Sequence, residues 1–158
     1  MEDYFLKIDG IPGESLDDKH KDEIQLVSFS WGASHDAVPH GGGGGGAGRA
    51  HFQDFHFMMH VNKASPQLFL ATVSGKHIKE ASLTVSRAAK VKLEYLKIKF
   101  SDVLVTSFEE AAGDGEAPEE MVGFAFGRIE LDYKPLQATG ALGGSVKAGW
   151  DLSKNAKI

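Results

Sequence analysis

The sequence predicts a mainly β protein: a compact β-barrel or sandwich of two sheets, with one short α-helix and an extended hairpin arm. Three observations carry this prediction. Segments that alternate apolar and polar residues recur along the chain, which is the period of strands. Only one segment carries helix signals, and a glycine run separates two of the strand patterns. With 158 residues, 42% of them hydrophobic, a single domain over residues 1–158 can bury a core without disulfide or metal staples.

The first strand pattern beside the glycine run has two faces of different character. Val27, Phe29 and Trp31 share one parity, while Ser28 and Ser30 share the other. Because successive side chains of a strand point to opposite faces, we expect the apolar set in the core and the two serines on the opposite surface.

The second pattern, after the glycine run, repeats this alternation. Two histidines, His56 and His60, alternate with four apolar residues: Phe55, Phe57, Met59 and Val61. Phe52 is out of phase with them, which predicts a bulge or strand end there. The two patterns form a hairpin, and we expect the glycine-rich connection to be a long mobile arm.

Residues 65–72 are the one segment that reads as a helix. Ser65 is a suitable N-cap, Pro66 suits the first turn, and Gly75 suits the C-terminal stop. A helix this short needs tertiary packing onto a sheet, which we assign to Leu68, Phe69 and Thr72.

The remaining segments add strands on either side of an acidic loop. Strand patterns cover residues 4–8, 80–86, 92–106, 121–133 and 146–152, and the loop covers 109–120. The buried parity changes between Tyr95 and Leu96, and again at Gly127, so we expect a bulge or sharp bend at both places.

Composition excludes several functional classes. The formal net charge of −5 gives nucleic-acid binding no electrostatic support, and the absence of cysteine excludes thiol catalysis. No apolar run approaches the ~20 residues that span a bilayer, so we expect no direct membrane insertion. The N-terminal residues lack the basic start and apolar run of a secretory signal, so we expect synthesis in the cytoplasm without a cleaved signal peptide.

Several patterns suggest chemistry, but each has a simpler structural explanation. His56 and His60 would share an ion on a helix, whereas on a strand they lie roughly 13 Å apart. The glycine run lacks the strand and helix context of a phosphate-binding loop. His20 with its acidic neighbours is read as a solvated loop, and Trp31 and Trp150 as core anchors. We therefore predict no catalytic residue, no cofactor and no metal.

An ordered set of short motifs resembles the Hcp family, the haemolysin-coregulated tube proteins of type VI secretion. The set includes Ser30-Trp31-Gly32 and the glycine run, and it spans nearly the whole chain. The other members are Gly13-Glu14-Ser15, His20, Glu23-Ile24, Asp54-Phe55-His56-Phe57, Pro66-Gln67-Leu68, Ser74-Gly75-Lys76-His77, Tyr95-Leu96-Lys97-Ile98, Tyr133 and Gly149-Trp150-Asp151.

The resemblance implies a structural subunit of a contractile injection machine. It implies a homo-hexameric ring that stacks into the inner tube, is expelled from the cell with the spike when the sheath contracts, and carries small effector proteins in its lumen. On this basis Ser28 and Ser30 are candidate lumen residues that contact cargo; the alternative is that they lie on the outer surface, as in an ordinary solvent-facing strand. The candidate ring-stacking arm comprises Gly41, Gly42, Gly43, Gly44, Gly45, Gly46 and Gly48.

Two alternatives from other classes stay open at this point. One is a secreted β-sandwich module that binds a ligand through an exposed Trp31 or Trp150. The other is a metal-dependent hydrolase that uses the histidines. A ring seen by electron microscopy would separate the tube subunit from both.

Overall fold

The computed structural model describes residues 1–36 and 48–158 of the chain. Within these residues, strands account for nearly all of the regular structure, and there is one helix. The elements are β1 (Glu2–Ile8), β2 (Ile24–Leu26), β3 (Ser28–Ser30), β4 (Ala33–His35), β5 (Ala50–Phe52), β6 (Phe55–His60), α1 (Ser65–Ser74), β7 (His77–Arg87), β8 (Leu93–Ala111), β9 (Glu119–Ala125), β10 (Arg128–Tyr133), β11 (Val146–Asp151) and β12 (Ala156–Lys157).

Strand β8 is the centre of the sheet topology. Its first half pairs with β7 on one side and with β10 on the other, while its second half pairs with β9. All these ladders are antiparallel. Three branches start from β8. Next to β7 lie β1 and then β2, and next to β10 lie β11 and then β12. Next to β9 lie β6 and then β3. Strands β4 and β5 form a separate two-stranded ribbon.

Strand β8 changes direction at two places. In the β7–β8 ladder, Val85 pairs with Leu96 but the next residue, Ser86, pairs with Glu94. Tyr95 therefore has no partner on β7, which confirms the bulge predicted there. At Asp102 the backbone turns to a φ of 55°, a left-handed conformation that re-aims the strand. The buried parity accordingly changes from Ile98 and Phe100 to Val103 and Val105. The Asp102 bend was not predicted.

Gly127 lies against the Asp102 bend and separates β9 from β10. Its N–H approaches the carbonyl oxygens of Ser101 at 2.9 Å and Asp102 at 3.1 Å. A Cβ at Gly127 would lie 3.1 Å from the Asp102 side chain, closer than most real contacts. The break predicted at Gly127 is therefore confirmed, and the long strand predicted over 121–133 is two strands.

The core is dominated by phenylalanine rings. Phe55, Phe57, Phe100 and Phe124 are each at most 1% exposed. The ring of Phe55 lies 4.9 Å from that of Phe100 and 5.0 Å from that of Phe124, measured between centroids. Since these rings come from β6, β8 and β9, both halves of the bent sheet meet on one aromatic cluster, which adds pairwise ring contacts to the burial of apolar area.

Two residues assigned to the core lie at the surface instead. Val27 is 43% exposed and Val61 is 49% exposed. Strand β2 buries Ile24 and Leu26, whereas β3 turns Phe29 towards the core, so the buried parity changes at Val27 between the two strands. Val27 donates its N–H to the Met58 carbonyl oxygen at 2.8 Å. Val61 follows the end of β6. Phe29 and Trp31 pack against the core as predicted, although each is only partly buried.

Helix α1 is longer than predicted and begins differently. Its N-cap is Ala64, which has no capping side chain, and Ser65 is the first helical residue. Gly75 ends the helix with a left-handed φ of 66°, as predicted. Leu68 is buried, whereas Phe69 is 52% exposed and meets Phe108 edge-on at 6.1 Å. Within the described part of the chain, no helix is long and apolar enough to cross a membrane.

The predicted fold class is confirmed, with two adjustments. The chain is mainly β with one short helix, as predicted, but β2 pairs with β1 whereas β3 pairs with β6, and the described strands do not close into a barrel. The acidic loop is shorter than predicted because β8 extends to Ala111 and β9 begins at Glu119.

One side of α1 is held by a buried carboxyl group. The Ser65 hydroxyl donates a hydrogen bond to Oε1 of Glu120, a residue that is 1% exposed. Oε2 of Glu120 has no hydrogen-bond partner among the described residues, and Glu110 is its direct neighbour across the β8–β9 ladder. Burial raises the pKa of Glu120; the Ser65 hydrogen bond opposes this and the Glu110 carboxyl adds to it.

Because its pKa is raised, the Glu120 carboxylate should lower the free energy of unfolding at neutral pH, and a neutral side chain should remove this loss. The unfolded chain loses the Glu120 proton near its ordinary pKa of 4.5, below the folded pKa, so stability falls as pH rises from there. Glu120→Gln keeps an acceptor for Ser65 and carries no charge. Its free energy of unfolding in urea should exceed that of the wild type at pH 7, and the difference should shrink towards pH 4. The matched control is the exposed Glu116→Gln; a Glu120→Gln variant less stable than the wild type at pH 7 would contradict the assignment.

Candidate functional site

Ser28 and Ser30 lie on β3 with their side chains exposed, while Phe29 between them packs against the core. The predicted alternation is therefore confirmed at these three positions. In the β3–β6 ladder, Ser28 faces Met58 and Ser30 faces His56. Cross-strand partners share one face of a sheet, so the serines extend into a surface built from several strands.

Two cross-strand rows make up this face, whose residues range from exposed, as at Met121, to buried at Gly123. One row runs from Ser30 through His56 and Gly123 to Ser107. The second runs from Ser28 through Met58 and Met121 to Glu109. The face of β3, β6, β9 and the second half of β8 thus carries a small polar row beside a methionine row. We call these eight residues the two-row face.

Gly123 is required by the polar row. A Cβ at this position would lie 2.6 Å from Oγ of Ser107 and 2.7 Å from Nδ1 of His56. The missing side chain therefore gives His56 and Ser107 the space between them. Beside this row, Thr106 is skipped by the β8–β9 register and its hydroxyl donates to Asp54 at 2.6 Å.

The opposite side of the same strands is the core. Phe57 and Val122, which alternate with the residues of the two rows, are at most 1% exposed. A close-packed aromatic interior fixes the strands behind the face, because a packed core deforms little. The two-row face is therefore a rigid surface rather than a loop cluster.

The glycine arm is only partly within the described residues. Gly41, Gly42, Gly43, Gly44, Gly45 and Gly46 lie outside them. Gly48 is described: its carbonyl lies 2.8 Å from Nε2 of His35, and a Cβ on it would lie 2.7 Å from the carbonyl oxygen of Asp36. At the base of the arm, β5 ends at Phe52, which confirms the strand end predicted there.

His20 is not a solvated loop residue, contrary to the prediction. It is 7% exposed and its ring stacks on Phe5 with centroids 4.5 Å apart. Nδ1 lies 3.0 Å from both carboxylate oxygens of Glu23, and Nε2 lies 2.6 Å from Oε1 of Glu94. Both ring nitrogens of His20 are therefore engaged by carboxylates of the chain itself.

The His20 cluster ties the 13–23 loop to β8. Burial disfavours the charge on Glu94, but the hydrogen bond and charge of His20, with Lys97, outweigh it and hold the pKa of Glu94 below its ordinary value. Gly13 allows the loop to lie close, because a Cβ there would be 2.5 Å from the Glu23 carbonyl oxygen. These contacts explain three of the short motifs, those of Gly13, His20 and Glu23, as packing. A histidine with both nitrogens engaged is not a free general base.

The histidines of β6 stand on a strand, as predicted, with His56 opposite Gly123 and His60 opposite Glu119. Among residues 1–36 and 48–158, no group of three or more histidines and carboxylates is arranged to hold a metal ion. Trp31 and Trp150 are both partly buried against the core, as predicted.

Sequence reasoning found the two serines but missed most of the surface they belong to. Met58, Met121, Ser107 and Glu109 come from three strands whose register no single segment reveals. The weak signal was the alternation itself: in β6 and β9 the residues between the buried ones are His56, Met58 and Met121, which an ordinary solvent-facing strand does not favour.

A bent, mainly β chain with one short helix is the fold of solved type VI secretion proteins. The comparisons support this class directly. Residues 5–133 match the family described as "Type VI secretion system effector, Hcp". The chain is 40% identical to Protein hcp1 of Pseudomonas aeruginosa over 158 residues, which cover 98% of each chain.

Solved structures agree with the sequence comparison. The crystal structure of Hcp1 from Salmonella typhimurium is 34% identical, covers 99% of both chains and superposes with a TM-score of 0.81. A solved structure described as a type six secretion system protein is 31% identical, covers 100% of both chains and reaches a TM-score of 0.92. The chain belongs to the Hcp family.

Proposed function

We propose that this chain is a structural subunit of the inner tube of a type VI secretion system. Six copies form a ring, rings stack into a tube, and passenger effector proteins travel in the lumen in contact with Ser28 and Ser30. The spike and sheath proteins of the machine are its other partners. The observation that carries the proposal is the two-row face, with the aromatic core directly behind it, in a chain that belongs to the Hcp family.

The chemistry of this face suits the wall of a pore. Serine has a small side chain and glycine has none, so both leave width for a passenger. Hydroxyl and imidazole groups can donate hydrogen bonds to a passenger or accept them from it. The aromatic core behind the strands keeps the wall in place while a passenger moves along it.

The arrangement of the histidine and acidic side chains favours a structural role over catalysis. His20 is engaged at both nitrogens, and the paired histidine and acidic residues of the described chain form no metal-binding group. The packing of Trp31 and Trp150 against the core also favours a structural role for these rings over that of a fully exposed stacking platform in a β-sandwich ligand-binding module. We propose that the protein is not an enzyme and needs no cofactor.

The route of the protein follows from the same proposal. It is made in the cytoplasm and leaves the cell with the expelled tube. The acidic balance of the chain, −5, supports protein partners rather than nucleic acid or an anionic membrane surface.

Assembly is the first test of this proposal. Native mass spectrometry of the purified chain at micromolar concentration should show a hexamer as the main species, and negative-stain electron microscopy should show rings with an open centre. The physical reason is that long amphipathic strands leave edges for neighbouring subunits. A monomer at this concentration would contradict the tube function.

The glycine arm is proposed to join one ring to the next. Deleting three residues of the Gly41 to Gly46 run should leave the free energy of unfolding and the hexamer unchanged, because loop length has little effect on stability. The deletion should reduce the length of tubes seen by electron microscopy and the amount of protein secreted. An internal control is deletion of Gly144 in the 137–145 loop. Normal tubes and normal secretion after shortening the arm would remove its assembly role.

The lumen role of Ser30 has a direct test in passenger retention. Ser30→Gln places a longer side chain in the row with His56, and as an exposed substitution it should change the free energy of unfolding by no more than about 0.5 kcal/mol. The hexamer should form normally, while co-purification and export of a passenger effector should fall. Ser145→Gln, at an exposed loop serine, is the matched control. Unchanged passenger retention in an intact ring would show that Ser30 is not a contact.

A further inference from the structure

A groove opens beside the methionine row of the two-row face, at the free end of the β8–β9 hairpin. Its volume is about 490 Å³, within the range of ordinary ligand pockets. Met58 and Met121 form its apolar floor, and Met121 is 43% exposed. Glu109, Glu116 and Glu119 form its rim together with His60. The groove is continuous with the row that begins at Ser28, since Met58 and Met121 are members of both.

The charge around the groove is of one sign. Residues 102–126 contain seven acidic residues and no Lys or Arg, so the rest of the chain carries a net charge of +2. Among the described residues, none of the ion pairs involves Glu109, Glu116 or Glu119. The rim therefore presents uncompensated negative charge, which attracts a cationic group most strongly where it is partly shielded from water.

The floor and the rim select for two different properties of a ligand. Methionine side chains are flexible and polarisable, so they adapt to apolar groups of varied shape, which is why they recur at surfaces that accept many partners. A carboxylate rim rejects acidic segments and pairs with Lys or Arg. A chain segment that alternates cationic and apolar side chains satisfies both, because its two faces meet the rim and the floor respectively.

We infer that this groove is a docking site for an extended segment of a passenger protein that carries both cationic and apolar side chains. The inference rests on the proposed function, and it adds the chemistry by which a passenger is chosen. Ser28 and Ser30 provide width and hydrogen bonds, whereas the Met58–Met121 floor and the acidic rim provide affinity and selectivity.

The test measures peptide binding to the full chain in the assembly that it forms in solution. The probes are fluorescein-labelled 12-residue peptides of alternating Lys and Leu, Glu and Leu, or Lys and Ser, followed by fluorescence anisotropy. The Lys–Leu peptide should bind at least about tenfold more tightly than either of the others, because only it offers charge and apolar contact together. Equal affinity for the Lys–Ser peptide would leave the apolar floor without a role and would overturn the inference.

Variants locate the binding to the groove. The double substitution Glu109→Gln and Glu119→Gln should weaken Lys–Leu binding by about fivefold, since exposed ion pairs are individually modest. The matched control, Asp9→Asn with Asp18→Asn, removes two charges outside the groove and should stay within about twofold of the wild type. Equal weakening in both doubles would mean that only net charge matters, which contradicts a defined site.

Oligomeric state separates the inference from the function on which it rests. Native mass spectrometry of the Glu109/Glu119 double variant should show the wild-type assembly. Loss of that assembly would assign the groove to a contact between copies of this chain and overturn passenger docking. A wild-type chain that forms hexamers but shows no preference among the peptides refutes the docking site alone, whereas a monomeric wild-type chain refutes the tube function.

Discussion

The bend of β8 at Asp102 is the constraint on which the rest of the structure depends. A strand of 19 residues would extend roughly 60 Å if straight, far beyond what a small domain can pack. The left-handed residue at Asp102 and the close approach of Gly127 turn it, so that one strand belongs to two parts of the sheet. Everything that pairs with its second half, including β9 and β6, takes its position from this bend.

The phenylalanine cluster is the consequence of that bend. Rings from β6, β8 and β9 converge because the two halves of the sheet now face each other across a short distance. Their burial stabilises the interior, and strand alternation then forces the intervening residues outward as the two-row face. The functional surface is thus the reverse side of the aromatic core, and its order follows from the packing behind it.

The charged residues have two different roles: some hold the fold together, and others face the solvent without a cationic partner among the described residues. His20 with Glu23 and Glu94 joins a long loop to the sheet and has its hydrogen-bonding capacity used within the chain. Glu120 fixes α1 through Ser65 but leaves one buried oxygen without a partner among the described residues, so this contact is made at an electrostatic cost. The acids at the hairpin end, by contrast, are exposed and unpaired with cations within the described residues, and their charge is directed at the solvent.

The sequence by itself determined the strand alternation, the helix with its Pro66 and Gly75 boundaries, and the exposure of Ser28 and Ser30. These properties depend on neighbours a few residues away, which a single segment contains. It did not determine that Val27 and Val61 are exposed, that His20 is buried, or that Met58, Met121 and Glu109 share a row with Ser28. Those facts depend on the register between distant strands and on the turn at Asp102. A shift of one residue in the pairing of a strand would move each of its side chains to the other face of the sheet. Only the tertiary structure decides them, because the paired strands are far apart along the chain and the free energy that selects their register comes from the shared core.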